Sequence, residues 1–234
     1  MIGVIRALAG VAIVLGLVMT AASGQTPPSA PDGPRYVVTY LEVMPSAAAE
    51  GAVLILKMRD AIRTEGGNLR GEAARRIGQP NQFVILATWK DQQALDAHAR
   101  SAKTQQLIFD FKRIQNAPYD ERATFPLSVG PVAASLAADA IVVVTHVDVI
   151  PTQRELATML VKQHAVDGRQ EPGNLRFEAL IQTNRQNHFT VVEAWKDRDA
   201  AQAHGVSAMT RMFRDMIAPA IGALYDERFY TALK

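Results

Sequence analysis

Residues 67–73, GNLRGEA, return at 173–179 as GNLRFEA, and the two phrases stand 106 residues apart counted from Asn68 to Asn174. Other matches keep that offset with no gap: Thr39 with Thr145, Pro45 with Pro151, Phe83 with Phe189, His98 with His204 and Ser101 with Ser207. WKD at 89–91 matches WKD at 195–197, and YDER at 119–122 matches YDER at 225–228. Roughly a third of positions agree in register, which is the signature of an internal duplication. Whatever this chain folds into, it forms twice: once over 35–127 and again over 141–234, joined by a linker at 128–140 (SVGPVAASLAADA).

Each copy has the order β-α-β-β-α-β. The Val- and Thr-rich stretches 36–44 and 141–150 suit strands. Pro45-Ser46 and Pro151-Thr152 stop them and offer a hydroxyl N-cap to the helix that follows. In the first copy that helix carries Leu54, Met58 and Ile62 on one stripe and runs to about Glu65, with Gly67 and Gly173 marking the helix ends. Two strands follow in each copy, 68–77 and 81–90, then 174–183 and 187–196. Asp91 and Asp197 are natural N-caps for a short helix bearing His98 or His204, a second helical stretch covers 102–116 or 208–222, and YDER opens the last strand. This is the split βαβ, ferredoxin-like order. A sheet with helices on one face leaves its other face bare, and pairing the two sheets of one chain buries both. The expected class is α+β: two tandem ferredoxin-like units closing an intrachain pseudo-dimeric α/β barrel.

The first 24 residues read as an export signal, with Arg6, an apolar run at 7–19 and AASG before a cleavage point. An uncleaved membrane anchor is the alternative. Residues 25–34 are a Pro-rich spacer, and mature structure is expected from about Arg35. These features point to a periplasmic or secreted protein whose contact with a membrane is limited to the signal. With no cysteine, disulfide and thiol chemistry are absent. The net charge of +2, with both signs interspersed, gives no basic stripe for nucleic acid. Phosphate-binding glycine loops, a nucleophile elbow and a cysteine nucleophile are all missing, which removes hydrolase, kinase and nucleotide-cofactor chemistry.

The phrases GNLRGE, NQFVILATWKD and ALDAH in the first copy, with GNLRFE, NHFTVVEAWKD and AAQAH in the second, resemble the antibiotic biosynthesis monooxygenase family of the dimeric α/β-barrel superfamily. The resemblance covers nearly all of 35–128 and 141–234. It implies a covalent version of the family's dimer, a pocket between sheet and helices in each half, and oxidation of quinols or phenols by O2 with neither metal nor flavin. One branch of the superfamily degrades haem, but it uses a Trp where His98 and His204 stand and a His where Ile108 and Arg214 stand, so haem chemistry is the weakest implication.

The candidate site follows from strand alternation and from that resemblance. On the second strand Asn68, Arg70 and Glu72 share one face, as do Asn174, Arg176 and Glu178. Arg and Glu are expected to project into the helix-side pocket and steady a phenolate, or else to pair with one another; Asn is expected to line the pocket or hold the turn. Trp89 and Trp195 end the third strand, with Phe83 and Phe189 earlier on it, as pocket wall or core. Glu193 has only Ala87 opposite it in the first copy. His204 first and His98 second are candidate bases. His146 and His164 stand where the first copy has Tyr40 and Met58, so three histidines near one pocket favour the second copy as the working half. No metal is expected, because the histidines lie on different elements without metal-ligand spacing. YDER, four polar residues retained in both copies, is expected to be structural, with Arg122 and Arg228 pairing acids across the sheet junction, or else functional. The leading expectation is a cofactor-independent monooxygenase taking a small aromatic molecule and O2. The alternative is a non-catalytic module binding a small hydrophobic ligand, and further association of the fused pair is possible on either reading.

Overall fold

The strand and helix order follows the sequence pattern closely. The structure is a computed structural model and describes residues 33–131, 136–137 and 139–234; the expected export signal and most of the spacer after it lie outside these. In the first repeat β1 (Arg35–Glu42), α1 (Ala48–Thr64), β2 (Asn68–Arg76), β3 (Gln82–Trp89), α2 (Gln92–Arg100), α3 (Ala102–Lys112) and β4 (Asp120–Ser128) succeed one another. The second repeats them as β5 (Ile141–Asp148), α4 (Arg154–Gly168), β6 (Asn174–Gln182), β7 (His188–Trp195), α5 (Arg198–Gly205), α6 (Ala208–Ile217) and β8 (Asp226–Ala232). No helix among the described residues is long and apolar enough to cross a membrane.

Within each repeat the strands order as β4-β1-β3-β2 and β8-β5-β7-β6, all antiparallel. β2 pairs with β8 and β4 with β6, so the two sheets close into one eight-stranded barrel. Closure removes the sheet edges that each repeat alone would expose. It also creates two environments for each strand. Val37, Leu41, Phe83, Ile85 and Trp89 face α1 to α3, and Phe189, Val191 and Trp195 face α4 to α6. Tyr36, Val38, Tyr40, Leu86, Val144, Val192 and Tyr230 point into the barrel.

The duplicated GNLR phrase has a structural cause. Gly67 and Gly173 adopt φ of +85° and +84°, the left-handed region that glycine enters without penalty. A β-carbon there would also lie 2.6 Å from Ala94 Cβ or 2.7 Å from Ala200 Cβ. A bulge follows between Asn68 and Arg70, and again between Asn174 and Arg176. The Asn amides donate to the Arg70 and Arg176 carbonyls and hold it. The two Asn therefore fasten the turn, and of the two roles expected for them this is the one they fill.

Two local expectations are corrected. Ser46 and Thr152 do not cap α1 and α4, because Pro45–Ala47 and Pro151–Gln153 form a 3-10 turn first and no side-chain cap bond is made. Arg122 and Arg228 make no ion pair with acids across the sheet junction among the described residues. Each pairs with the Asp two residues earlier in its own YDER, Asp120 or Asp226, since residues two apart on a strand share a face. Asp91 and Asp197, by contrast, cap α2 and α5 by accepting from the Ala94 and Ala200 amides at 2.7 and 2.8 Å.

Candidate active site

The first repeat has a cavity between its sheet and helices. Val37, Thr39, Ile85, Ala87 and Trp89 form the sheet side, Met58, Ala61 and Ile62 come from α1, and His98, Thr104 and Leu107 come from α2 and α3. Tyr119 and Glu121 complete the lining. The space at its centre is about 20 Å³, room for about one water molecule.

His98 is the one imidazole in that lining, and its surroundings fix its chemistry. Its ring stacks on Trp89 with centroids 4.7 Å apart. Nδ1 lies 2.7 Å from Glu65 Oε2, and Glu65 Oε1 in turn accepts from Ser101 and Thr104 hydroxyls. A carboxylate at Nδ1 holds the proton there and leaves Nε2 as the basic nitrogen, the arrangement of an oriented general base. Tyr119 donates its hydroxyl to Glu121 at 2.8 Å. Burial first, and the neighbouring carboxylate second, push the Tyr119 phenol well above its ordinary value, so it stays protonated.

In the second repeat the same dyad is built and its surroundings are filled. His204 stacks on Trp195 at 4.6 Å, and its Nδ1 lies 3.0 Å from Glu171. The place of Gly71 is taken by Phe177, whose ring packs edge-on to His164, His204 and Trp195. Phe213 replaces Leu107 and stacks on His164 at 4.1 Å. Glu193 replaces Ala87 and accepts from Trp195 Nε1 at 2.8 Å. Burial pushes the Glu193 carboxyl up to about 8, the Trp195 N–H only partly opposing it. Burial and the nearby His204 push His164 down to about 3. Burial also lowers His204, against the pull of Glu171.

Six residues expected at the pocket are elsewhere. Arg70, Glu72, Arg176 and Glu178 face the barrel interior, because the helix-side face of β2 and β6 belongs to Gly71, Ala73, Phe177 and Ala179. There Arg70 binds Glu178 through two hydrogen bonds of 2.8 and 2.9 Å, and Arg176 binds Glu72 through two of 2.7 and 2.9 Å. They couple one repeat to the other and are buried. Tyr40 and His146 also point inward and meet each other across the barrel, with Tyr40 Oη 2.5 Å from His146 Nε2. His146 is thus not the third histidine of a cluster with His164 and His204. Phe83 and Phe189 are core, fully buried on the helix side.

Glu65, Glu171, Thr104, Tyr119 and Glu121 carry much of the geometry; sequence reasoning gave the first three no role in the site and took Tyr119 and Glu121 only as part of the repeated YDER. The signal was available, because Glu65 with Glu171 and Thr104 with Thr210 also match at the offset of 106.

The model of the family described as antibiotic biosynthesis monooxygenase matches this chain twice, over residues 34–108 and 140–216. The curated "Putative monooxygenase YcnE" of Bacillus subtilis is 30% identical over 81 residues, covering 35% of this chain and 85% of that protein. Among solved structures, a "putative monooxygenase" of Fusobacterium nucleatum matches with a TM-score of 0.76 at 16% identity, covering 86% of this chain and 93% of that one. An "anthrone oxidase-like protein" matches with a TM-score of 0.68 at 12% identity, covering 87% and 92%. At such identities the solved structures speak for the fold alone: a two-repeat barrel in a single chain. The doubled family match and the relative of one repeat's length support a monooxygenase-type function, and the chain belongs to the antibiotic biosynthesis monooxygenase family.

Proposed function

We propose that the chain is a cofactor-independent monooxygenase that oxidises a small phenolic or quinol-type aromatic with O2 in the first repeat's cavity. The observation that carries this reading is the Glu65–His98 dyad, stacked on Trp89 and bordering an apolar cavity. His98 Nε2 takes the phenolic proton, and Glu65 steadies the resulting imidazolium. The electron-rich anion then reduces O2 itself. A ring carbon bonds to oxygen, the O–O bond breaks, and the second oxygen atom leaves as water with the two hydrogens the substrate has lost. The apolar walls favour this step by excluding water from the charged intermediate. Thr39, Thr104 and Tyr119 place hydroxyl oxygens at the lining that can accept from a second substrate hydroxyl, as in a hydroquinone. An aromatic ring needs more room than the cavity now offers, so binding moves Met58 and Leu107, the adaptable side chains of the lining. Export through residues 1–24 belongs to the same proposal and would place this chemistry outside the cytoplasm.

The test is oxygen uptake by metal-stripped protein across a panel of hydroquinones and polycyclic phenols. Uptake above the autoxidation background supports the proposal. Tight binding of panel members without uptake would instead make the chain a small-molecule carrier.

A further inference from the structure

The second repeat keeps the base dyad of the first and adds two groups to it. At the offset of 106, Met58 becomes His164 and Ala87 becomes Glu193. With His204 these residues come from three different elements, α4, β7 and α5, yet one donor atom from each lies within 4.8 Å of the others. All three are buried, at 5%, 3% and 5% exposure for His164, Glu193 and His204.

We propose that His164, Glu193 and His204 bind one divalent first-row transition-metal ion in the second repeat. The spacing fits. Ligands about 2.1 Å from a tetrahedral ion stand about 3.4 Å apart, and His204 Nε2 is 3.5 Å from Glu193 Oε2. A His164 nitrogen lies within 4.8 Å of both, so a bound ion would draw the three donors together. The supporting contacts also fit. Metal-bound histidines give their other N–H to a carboxylate, and bound carboxylates are themselves hydrogen-bonded. His204 presents Nδ1 to Glu171 at 3.0 Å, Glu171 is held by Ser207, and Glu193 accepts from Trp195.

Two further observations point to a ligand rather than to packing. The His164 imidazole forms no hydrogen bond among the described residues, although Phe213 and Phe177 clamp its ring from face and edge. No protein group among the described residues thus competes with a ligand for its nitrogens. Glu193 is buried with one good donor and no Arg or Lys paired to it among the described residues, while the nearby Arg214 is engaged by Glu227. A divalent ion would satisfy both groups at once. Two imidazoles and one carboxylate are donors for zinc, iron, cobalt or nickel rather than for magnesium or calcium.

The experiment is titration of chelator-stripped protein with Co²⁺ and Zn²⁺, followed by calorimetry and by the visible absorption of Co²⁺. One ion per chain is expected, with Co²⁺ bands of a four- or five-coordinate site. His164→Met restores the residue that the first repeat carries at this position, and Glu193→Gln keeps the shape of the side chain. Each should weaken binding at least 100-fold while circular dichroism and Tm show a folded protein. Glu171→Gln should weaken it about 10–100-fold. Absence of binding to folded wild type, or one ion bound equally well by His164→Met and Glu193→Gln, would overturn the proposal. Because the oxidation proposed above uses the first repeat without metal, failure of either idea leaves the other standing.

Discussion

Gly71 and Phe177 occupy equivalent places in the two repeats, and the difference decides which repeat has open space beside its histidine. The Phe177 ring is admitted by Gly168, whose own β-carbon would lie 2.3 Å from it. In the first repeat the pair is reversed in size: Gly71 stands against Ile62, whose Cγ2 is 3.1 Å from where a Gly71 β-carbon would be.

Exchanging this pair should therefore transfer the filled state. Gly71→Phe alone overpacks the Ile62 contact and should cost about 1–3 kcal/mol. Combined with Ile62→Gly it should recover part of that stability, less about 1 kcal/mol for glycine in a helix, yet remain inactive because the ring blocks the cavity. Thermal unfolding and oxygen uptake on the two variants check this.

Glu65→Gln should slow turnover about 100-fold or more with little change in KM. A Gln amide offers Nδ1 a donor in place of a carboxylate, which selects the wrong imidazole tautomer. Steady-state oxygen uptake separates kcat from KM.

Glu178→Gln takes from the buried Arg70 guanidinium its hydrogen-bonded charge partner and leaves only the more distant Glu72, 3.8 Å from its Nε. The expected loss is about 3–5 kcal/mol in denaturant unfolding. Replacing both, as Arg70→Met with Glu178→Leu, should cost far less, since the penalty lies in the orphaned charge and not in the absent pair.

His146 makes the fold acid-sensitive. It faces Tyr40 and Thr190, with Arg122, Arg228, Asp120 and Asp226 around it, and burial first and Arg122 second push it down to about 4. Its folded value lies below its unfolded one. As pH falls from about 6.5 toward 4 the unfolded chain takes up a proton that the folded chain refuses, and stability declines. The contribution is about 3 kcal/mol at 1.36 kcal/mol per unit. His146→Gln should flatten the slope of unfolding free energy in that window.

The fold was legible because a duplication supplies its own alignment: matched phrases set the register of strands and helices without any relative to compare. The face on which a side chain lands was harder to read. Strand alternation grouped Arg70 with Glu72 correctly, but which side of β2 the helices cover depends on the closure of two sheets. Tyr40 and His146 failed for the same reason, since the barrel interior exists only once the repeats have paired. Glu65 was read only as the end of α1, because nothing local to it tells of His98, 33 residues on. The Gly71–Phe177 difference was in plain view in the repeated phrase. Its meaning depended on Gly168, which no local pattern ties to it.

The central claim is that oxidation runs from His98 in the first repeat. Oxygen uptake by His98→Gln and His204→Gln, side by side on the best substrate of the panel, tests it most directly. The account predicts that His98→Gln loses about 100-fold or more while His204→Gln stays near wild type. Loss confined to His204→Gln, or full uptake in both, would contradict it.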